Sequence, residues 1–214
     1  MNITYLIQNC PYWQDYTEHK FVRELGRGTL PLASFKHYLI QDYLFLLQFA
    51  RAWGLAVYKA ENVELMKYAQ QGIQAILEVE QSMHLDFCES WGLSAQEIQK
   101  HPESPNNIGY TRYVLDIGMK YGLAELFVAM APCALGYSQI AEKLAKNHTP
   151  NNPYQKWIDM YDSDTSQESV QRFMRQADQL IQHSGIQDPE HWQRIFNTAT
   201  RMEIGFWQMG LDLS

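Results

Sequence analysis

The segment FKHYLIQDYLFLLQFARAW (residues 35–53) places apolar side chains at every third or fourth position. This spacing is the 3.6-residue period of an α-helix with one apolar face. Asp42 shares that face with Tyr38, Phe45 and Phe49. The segment therefore predicts a long core helix that carries a carboxyl group among aromatic rings.

The same period continues through most of the 214 residues, and no stretch alternates as a strand would. Start and stop signals predict helices near residues 12–26, 34–60, 63–90, 108–122, 126–144, 166–185 and from 189, with shorter ones after 94 and around 157–161. No repeat or linker interrupts them. We therefore expect one all-α domain over residues 1–214, built as a helical bundle.

Composition excludes several classes of partner. Lys and Arg total 17 against 24 for Asp and Glu, which gives a net charge of −7, and no basic run could follow a phosphate backbone. Cys10, Cys88 and Cys133 lack CxxC or CxxH spacing, so neither a disulfide framework nor a zinc site is indicated. No segment has the pattern of a signal peptide or a membrane span. A cytoplasmic protein without nucleic-acid or membrane partners is expected.

Asp42 is the first candidate functional residue. An ionised carboxylate left unpaired among aromatic rings is costly, so it must have a partner or face a cavity. The purely structural alternative is that Asp42 pairs with an arginine or caps a neighbouring helix.

Glu203 repeats this arrangement in NTATRMEIGFWQMG (residues 197–210), on a face with Phe196, Thr200 and Trp207. Apolar surroundings disfavour the charged form of a carboxyl, which suits a group that donates and then recovers a proton. The alternative is a salt bridge at a helix end.

Cys133 lies in LFVAMAPCALGYSQIAEKL (residues 126–144), directly after Pro132. Proline inside a helix lacks an N–H donor and crowds the preceding turn, so a kink that re-aims the thiol is expected. Tyr137 lies one turn on, on the same face. A lone cysteine is more often an inert apolar residue, and without a lysine or a helix N-terminus it needs a base or an electron-poor substrate to react.

Aromatic residues make up 13% of the chain. Together with two carboxyls and a thiol, Tyr110 and Tyr161 indicate a site for a flat heterocycle with a polar edge, although core packing is the default role of any single ring. The seven histidines form no HExxH or ExxH pair, so no metal centre is predicted, and we expect most of them at the surface.

Four runs together resemble the TenA family of thiaminase II proteins: residues 19–53, APCALGYSQIAEKL (131–144), NPYQKWIDMY (152–161) and MEIGFWQM (202–209). The resemblance covers nearly the whole chain and implies a haem-oxygenase-like helical fold. It also implies a hydrolase in which water replaces the group on the exocyclic methylene of an aminopyrimidine. The implied substrates are thiamin or 4-amino-5-aminomethyl-2-methylpyrimidine, the product is the hydroxymethyl compound, and no metal or organic cofactor is used.

The resemblance further implies roles for single residues. Cys133 corresponds to the nucleophile, Glu203 to the acid/base, and Asp42 to the carboxylate that binds the amino and ring-nitrogen edge of the pyrimidine. The rings that would surround the pyrimidine are Phe45, Tyr110, Tyr137, Tyr161 and Phe206.

The sequence departs from the family pattern at two places. Phe45 stands where many members have a tyrosine, and Ala134 and Leu135 follow the cysteine where bulkier aromatic residues are common. Both departures concern the leaving group more than the type of reaction.

Two other functions fit parts of the same pattern. A haem-binding or haem-degrading protein of this fold would use His19 as an axial ligand, and a non-catalytic pyrimidine-binding regulator would keep the rings without needing Cys133 and Glu203. The resemblance also implies a homotetramer, for which an apolar content of 46% leaves enough surface.

Overall fold

The structure, a computed structural model, describes the backbone of residues 1–214 and every side chain except those of residues 79, 80, 81 and 83. All regular elements of this backbone are helical, so the expected all-α class is confirmed. The helices are α1 Ile3–Gln8, α2 Trp13–Thr17, α3 Lys20–Gly26, α4 Leu32–Lys59, α5 Val63–Gln74, a π-helical segment Ala75–Glu80, α6 Gln81–Ser90, α7 Ala95–Ile98, α8 Pro105–Lys120, α9 Leu123–Ala145, α10 Gln155–Tyr161, α11 Asp164–His183 and α12 Pro189–Asp212.

The observed helices differ from the predicted ones at several points, and α8 and α9 each begin three residues earlier than predicted. The predicted helix 12–26 is two helices, because the chain breaks before His19, whose Nδ1 accepts a hydrogen bond from the backbone N–H of Phe21 at 3.3 Å and caps α3. The N-terminal helix α1, capped by Asn2, was not predicted. The helix predicted to begin near residue 34 begins at Leu32, so Ser34 lies buried inside α4.

The helices group into two compact units. Unit 1 consists of Met1–Pro31 and Phe127–Gln208, and unit 2 of Leu32–Leu126 and Met209–Ser214. The expectation of a single domain over residues 1–214 stays a prediction.

In unit 2, α4 is the central helix and contacts α5, the π-helical segment, α6, α7 and α8. Its contact with α8 is fixed by a buried amide pair: Asn107 Nδ2 donates to the backbone carbonyl of Gln41 at 2.9 Å and to its side-chain Oε1 at 3.0 Å. The backbone N–H of Ser104 donates to the same Oε1 at 2.9 Å. Buried hydrogen bonds of this kind hold two helices in one register.

The π-helical segment changes how the third predicted helix faces α4. Leu65 and His84, both buried, are 19 residues apart, whereas five turns of an α-helix take about 18. Ala69 and Cys88, also buried, have the same separation. A wider π turn takes up the one extra residue, so the parts of the helix before and after it bury the same side.

In unit 1, α9 runs through Pro132 as one helix. The hydroxyl of Tyr16 donates to the carbonyl oxygen of Pro132 at 3.3 Å, and Gly136 leaves the space that the Tyr16 ring occupies. By length and composition α9 could cross a membrane, but 78% of its most apolar window is buried inside the protein, as in a core helix.

The turn before α10 is attached to the end of α3. Asn152 Nδ2 donates to the carbonyls of Leu25 and Gly26, each at 3.0 Å, and the hydroxyl of Tyr154 donates to the carbonyl of Leu30. The first residues of the NPYQKWIDMY run therefore have a structural role, and they fix the start of the helix that carries Trp157 and Tyr161.

Candidate functional site

Asp42 lies in the middle of α4, with only 3% of its surface exposed. The hydroxyl of Tyr38 donates to its Oδ2 at 2.9 Å, and the Nε2 atom of His84 lies 2.6 Å from the same oxygen. The requirement for a partner, inferred from the sequence, is thus met by a phenol one turn back on α4 and an imidazole on α6. The partner suggested by the structural alternative, an arginine, is not the one found.

His84 was not singled out by the sequence. Its side chain is fully buried, unlike those of His101, His148 and His183, which are exposed as expected of most histidines. The only signal that could have found it is helical phase, and the π-helical segment displaces that phase by one residue.

Phe45 and Tyr110 form a ring pair in unit 2. Their ring centroids lie 5.1 Å apart, and Phe45 also stacks on Phe49 at 5.4 Å. Each member of the pair lies about one turn beyond a member of the Gln41–Asn107 pair, so the buried amide contact sets the distance between the rings. The two rings are tilted by 41° to each other and form an aromatic surface on α4 and α8.

Cys133 is the only one of the three cysteines that is not buried. Burial raises the pKa of the Cys88 thiol to about 11, and it also raises the pKa of Cys10 above its ordinary value. A thiol held protonated in this way is a poor nucleophile. Of the three, Cys133 is therefore the one suited to reaction.

Tyr137, one turn beyond Cys133 on α9, belongs to a cluster of four rings. Its centroid lies 5.1 Å from that of Tyr161, 5.2 Å from Trp207 and 5.9 Å from Trp157. Trp157 and Tyr161 are themselves 4.8 Å apart. The cluster joins α9, α10 and α12 next to the turn that carries the thiol.

Glu203 and Phe206 lie on α12, and each is 1% exposed. Glu203 is one turn before Trp207, and α12 continues to Asp212, so the carboxyl lies inside a helix and not at its end. A carboxyl group this deeply buried needs a hydrogen-bond partner or a nearby opposite charge to offset the loss of its hydration.

The predicted site residues are thus divided between the two units. Cys133, Tyr137, Tyr161, Glu203 and Phe206 lie in unit 1, and Asp42, Phe45 and Tyr110 lie in unit 2. Within each unit the structure brings some of them into direct contact, namely Tyr137 with Tyr161 and Phe45 with Tyr110. The roles given to all eight residues stay predictions.

Among the described side chains, no group of three His, Cys, Asp or Glu residues is arranged to hold a metal ion.

Comparison with known proteins identifies the family. The model of the TENA/THI-4/PQQC family matches residues 7–213. An uncharacterized protein of Haemophilus influenzae is 47% identical over 99% of this chain and 100% of its own length. An aminopyrimidine aminohydrolase of Helicobacter pylori is 35% identical over 96% of both chains.

Solved structures agree in fold. A TenA family transcription regulator from Silicibacter sp. TM1040 superposes with a TM-score of 0.91 at 37% identity, covering 97% of this chain and 95% of that one. A domain from Shewanella denitrificans described as having a heme oxygenase-like fold gives a TM-score of 0.74 at 11% identity, covering 100% of this chain and 93% of its own. The expected haem-oxygenase-like fold is confirmed. The family match and the two relatives, each aligned over almost the full chain, show that this protein belongs to the TENA/THI-4/PQQC family.

Proposed function

We propose that the protein is a hydrolase of thiamin metabolism that acts on aminopyrimidines. It releases 4-amino-5-hydroxymethyl-2-methylpyrimidine from the corresponding aminomethyl compound or from thiamin. Relatives named aminopyrimidine aminohydrolase, at 35% identity in Helicobacter pylori and 29% in Bacillus subtilis, support this activity. The observation that carries it is the partly exposed Cys133, one turn from an aromatic cluster, in a chain whose other two thiols are buried.

Cys133 is the proposed nucleophile. Its thiolate adds to an electron-poor carbon of the pyrimidine, which forms a C–S bond and ends the aromaticity of the ring. The ring electrons then expel the amine or thiazole from the adjacent methylene, whose C–N bond breaks. Water adds to the exposed methylene, the C–S bond breaks, and the aromatic ring is restored.

Glu203 is the proposed acid/base for both halves of this sequence. It gives a proton to the departing amine and then takes one from the attacking water, so it ends in its starting state. A carboxyl that is 1% exposed suits this role, because an apolar environment brings its protonated and ionised forms closer in free energy.

The aromatic residues and Asp42 are proposed to bind the pyrimidine. Asp42 accepts a hydrogen bond from the exocyclic amino group, a charge-assisted contact that is stronger than a neutral one. Phe45 and Tyr110 supply an aromatic surface on which a flat ring can stack.

Steady-state hydrolysis of the aminomethylpyrimidine and of thiamin tests the proposal. We expect Cys133→Ser to lose most turnover with an unchanged melting temperature, because a hydroxyl is a far weaker nucleophile at neutral pH. Cys88→Ala is the matched control and should keep kcat, although its buried site makes some loss of stability expected. Wild-type kcat in Cys133→Ser would remove the nucleophile from the proposal.

A regulator is the second candidate, since the Silicibacter relative is described as a transcription regulator. A regulator would bind the pyrimidine without turnover, so the same assay separates the two functions. Against the haem alternative, the Nδ1 atom of His19 already caps α3. Titration with haem should therefore give no Soret band.

Assembly as a cytoplasmic homotetramer is also part of the proposal. Large apolar side chains are exposed in unit 2, with Tyr58 at 84% and Met119 at 72%. These residues lie near the ends of α4 and α8, which are linked by a hydrogen bond of 2.8 Å from Lys59 Nζ to the carbonyl of Tyr121. Light scattering that shows a monomer at micromolar concentration would contradict the assembly.

A further inference from the structure

Two side chains in unit 2 contact the same oxygen of one carboxylate. Tyr38 Oη is 2.9 Å and His84 Nε2 is 2.6 Å from Oδ2 of Asp42. The side chain of His84 is 0% exposed and that of Asp42 is 4% exposed, so water competes little for these contacts. Contacts to an ionised group in such surroundings are short and strong.

The other carboxylate oxygen of Asp42, Oδ1, has different hydrogen-bonding surroundings. Among the side chains that the structure describes, none donates a hydrogen bond to Oδ1. One oxygen of the carboxylate is thus held by a phenol and an imidazole, while the second keeps its lone pairs for an incoming donor. Donors on a single oxygen also limit rotation of the carboxylate about its Cβ–Cγ bond.

We propose that His84 is a positioning residue for the pyrimidine site, an inference that rests on the proposed function. Its Nε2–H donates to Oδ2 of Asp42 and holds the carboxylate so that Oδ1 accepts from the exocyclic amino group of the aminopyrimidine. His84 does not touch the ligand and acts only through Asp42.

The π-helical segment places His84 for this contact. α6 packs against α4, and the π-helical segment that precedes α6 brings the residue into phase with the buried face of α5. π-Helical turns are rare and frequently accompany functional sites. Without that turn, position 84 would lie about 100° away from the buried face that Leu65 presents.

A purely structural role predicts a different set of measurements. A buried pair that served folding alone would, when broken, lower the melting temperature and the folded fraction. The folded molecules would still bind the pyrimidine with wild-type affinity. Affinity for the ligand, measured on folded protein, therefore separates positioning from stability.

His84→Gln and His84→Asn form the matched pair for this test. The amide nitrogen of glutamine can occupy the place of Nε2, whereas that of asparagine corresponds to Nδ1 and falls short of Asp42. Both variants are polar and uncharged, so differences in folding should be small. We expect His84→Asn to raise the Kd for hydroxymethylpyrimidine about 10-fold or more, and His84→Gln to stay within about threefold of wild type.

A double-mutant cycle shows whether His84 acts through Asp42. In an Asp42→Asn background, which itself should weaken binding, His84→Asn should cause little further loss. The measurement is calorimetric titration of each folded variant with hydroxymethylpyrimidine, with melting temperatures recorded in parallel. Additive losses in the cycle would overturn action through Asp42.

The remaining outcomes also decide the matter. Wild-type Kd in both His84 variants would overturn the positioning role while leaving the proposed function intact, and equal losses in both would overturn the role of the Nε2–H donor. A wild-type protein that neither binds nor hydrolyses the pyrimidine would instead overturn the proposed function, and this inference with it.

Discussion

Gly136 lies directly against the ring of Tyr16, in the turn of α9 that follows Cys133. A Cβ atom at position 136 would overlap three ring and hydroxyl atoms of Tyr16. Because Tyr16 is fully buried and donates to the carbonyl of Pro132, its ring has little room to withdraw. The glycine thus allows a tyrosine to pack against the helix next to the thiol.

We therefore predict that Gly136→Ala destabilises the protein by about 1–3 kcal/mol through overpacking. Gly54→Ala is the matched control, since that glycine also lies within a helix but nothing approaches its Cβ position within 4 Å. There alanine should be neutral or stabilising by up to about 1 kcal/mol. Thermal and urea unfolding of both variants provide the comparison, and equal stability would contradict the packing argument.

Thiol alkylation should distinguish the three cysteines. With a pKa of about 11, roughly one Cys88 thiol in a thousand is ionised at pH 8, and Cys10 is shifted in the same direction. Iodoacetamide should modify Cys133 in the native protein, with parallel loss of turnover, and the other two thiols only after unfolding. Peptide mass mapping reports the sites, and early labelling of Cys88 in folded protein would count against its burial.

Replacement of Glu203 tests the second catalytic role. Glutamine can neither give a proton to the leaving group nor accept one from water, so Glu203→Gln should lower kcat about 10²-fold or more while substrate binding survives. If Cys133 and Glu203 act in one sequence of steps, the double variant should be scarcely slower than the slower single variant. Steady-state kinetics with melting temperatures decide this, and multiplied losses would mean independent roles.

Phe45→Tyr restores a hydroxyl that many family members have at this position. The ring pair with Tyr110 should remain, so affinity for hydroxymethylpyrimidine should stay close to wild type. If the hydroxyl affects the leaving group, the ratio of kcat/KM for thiamin to that for the aminomethylpyrimidine should change about 2- to 10-fold. An unchanged ratio would show that the departure from the family pattern has no effect on substrate preference.

Glu103 and Arg112 form a two-pronged ion pair in unit 2, at 2.7 and 2.5 Å. Hydrogen bonding from Arg112 lowers the pKa of Glu103, so the folded state binds this proton less tightly than the unfolded state. The pair therefore stabilises the protein above the unfolded pKa, and this contribution is lost as pH falls through the folded pKa.

Glu103→Gln should consequently lower the free energy of unfolding by about 1 kcal/mol at neutral pH, because the pair is partly solvated. The difference in the free energy of unfolding between variant and wild type should disappear as the pH is lowered. Glu89→Gln, which removes the charge of an exposed carboxylate in the same way, is the control. A gap that persists at about pH 3 would point to a packing effect of the substitution.

Much of the architecture could be predicted because short sequence signals determine where the helices begin and end. Asp188 before Pro189 begins α12, Gly92 and Gly185 follow the ends of α6 and α11, and the proline- and asparagine-rich run before Asn152 separates α9 from α10. Each of these signals acts within one helical turn, so one sequence contains all the information needed.

The features that were not predicted depend instead on an unusual capping residue or on a contact between residues far apart in the sequence. The break before His19 depends on an imidazole used as a helix cap, for which residues such as serine or aspartate are the usual choice. The contact of His84 with Asp42 joins residues 42 positions apart and depends on a helix that departs from the regular period. Periodicity correctly placed Asp42 on a buried face, but it could not show which distant side chain would offset the cost of burying the carboxylate.

The π-helical segment Ala75–Glu80 also makes this part of the chain tolerant of one change in length. Removing one residue from it would restore a regular α-helix and leave the histidine 18 residues, or five α-helical turns, after Leu65. The imidazole and the Cys88 thiol would then keep their buried face, and the contact with Asp42 should survive. Adding one residue just before α6 should instead turn every later residue of that helix by about 100° and carry the imidazole away from Asp42, although the added residue touches neither.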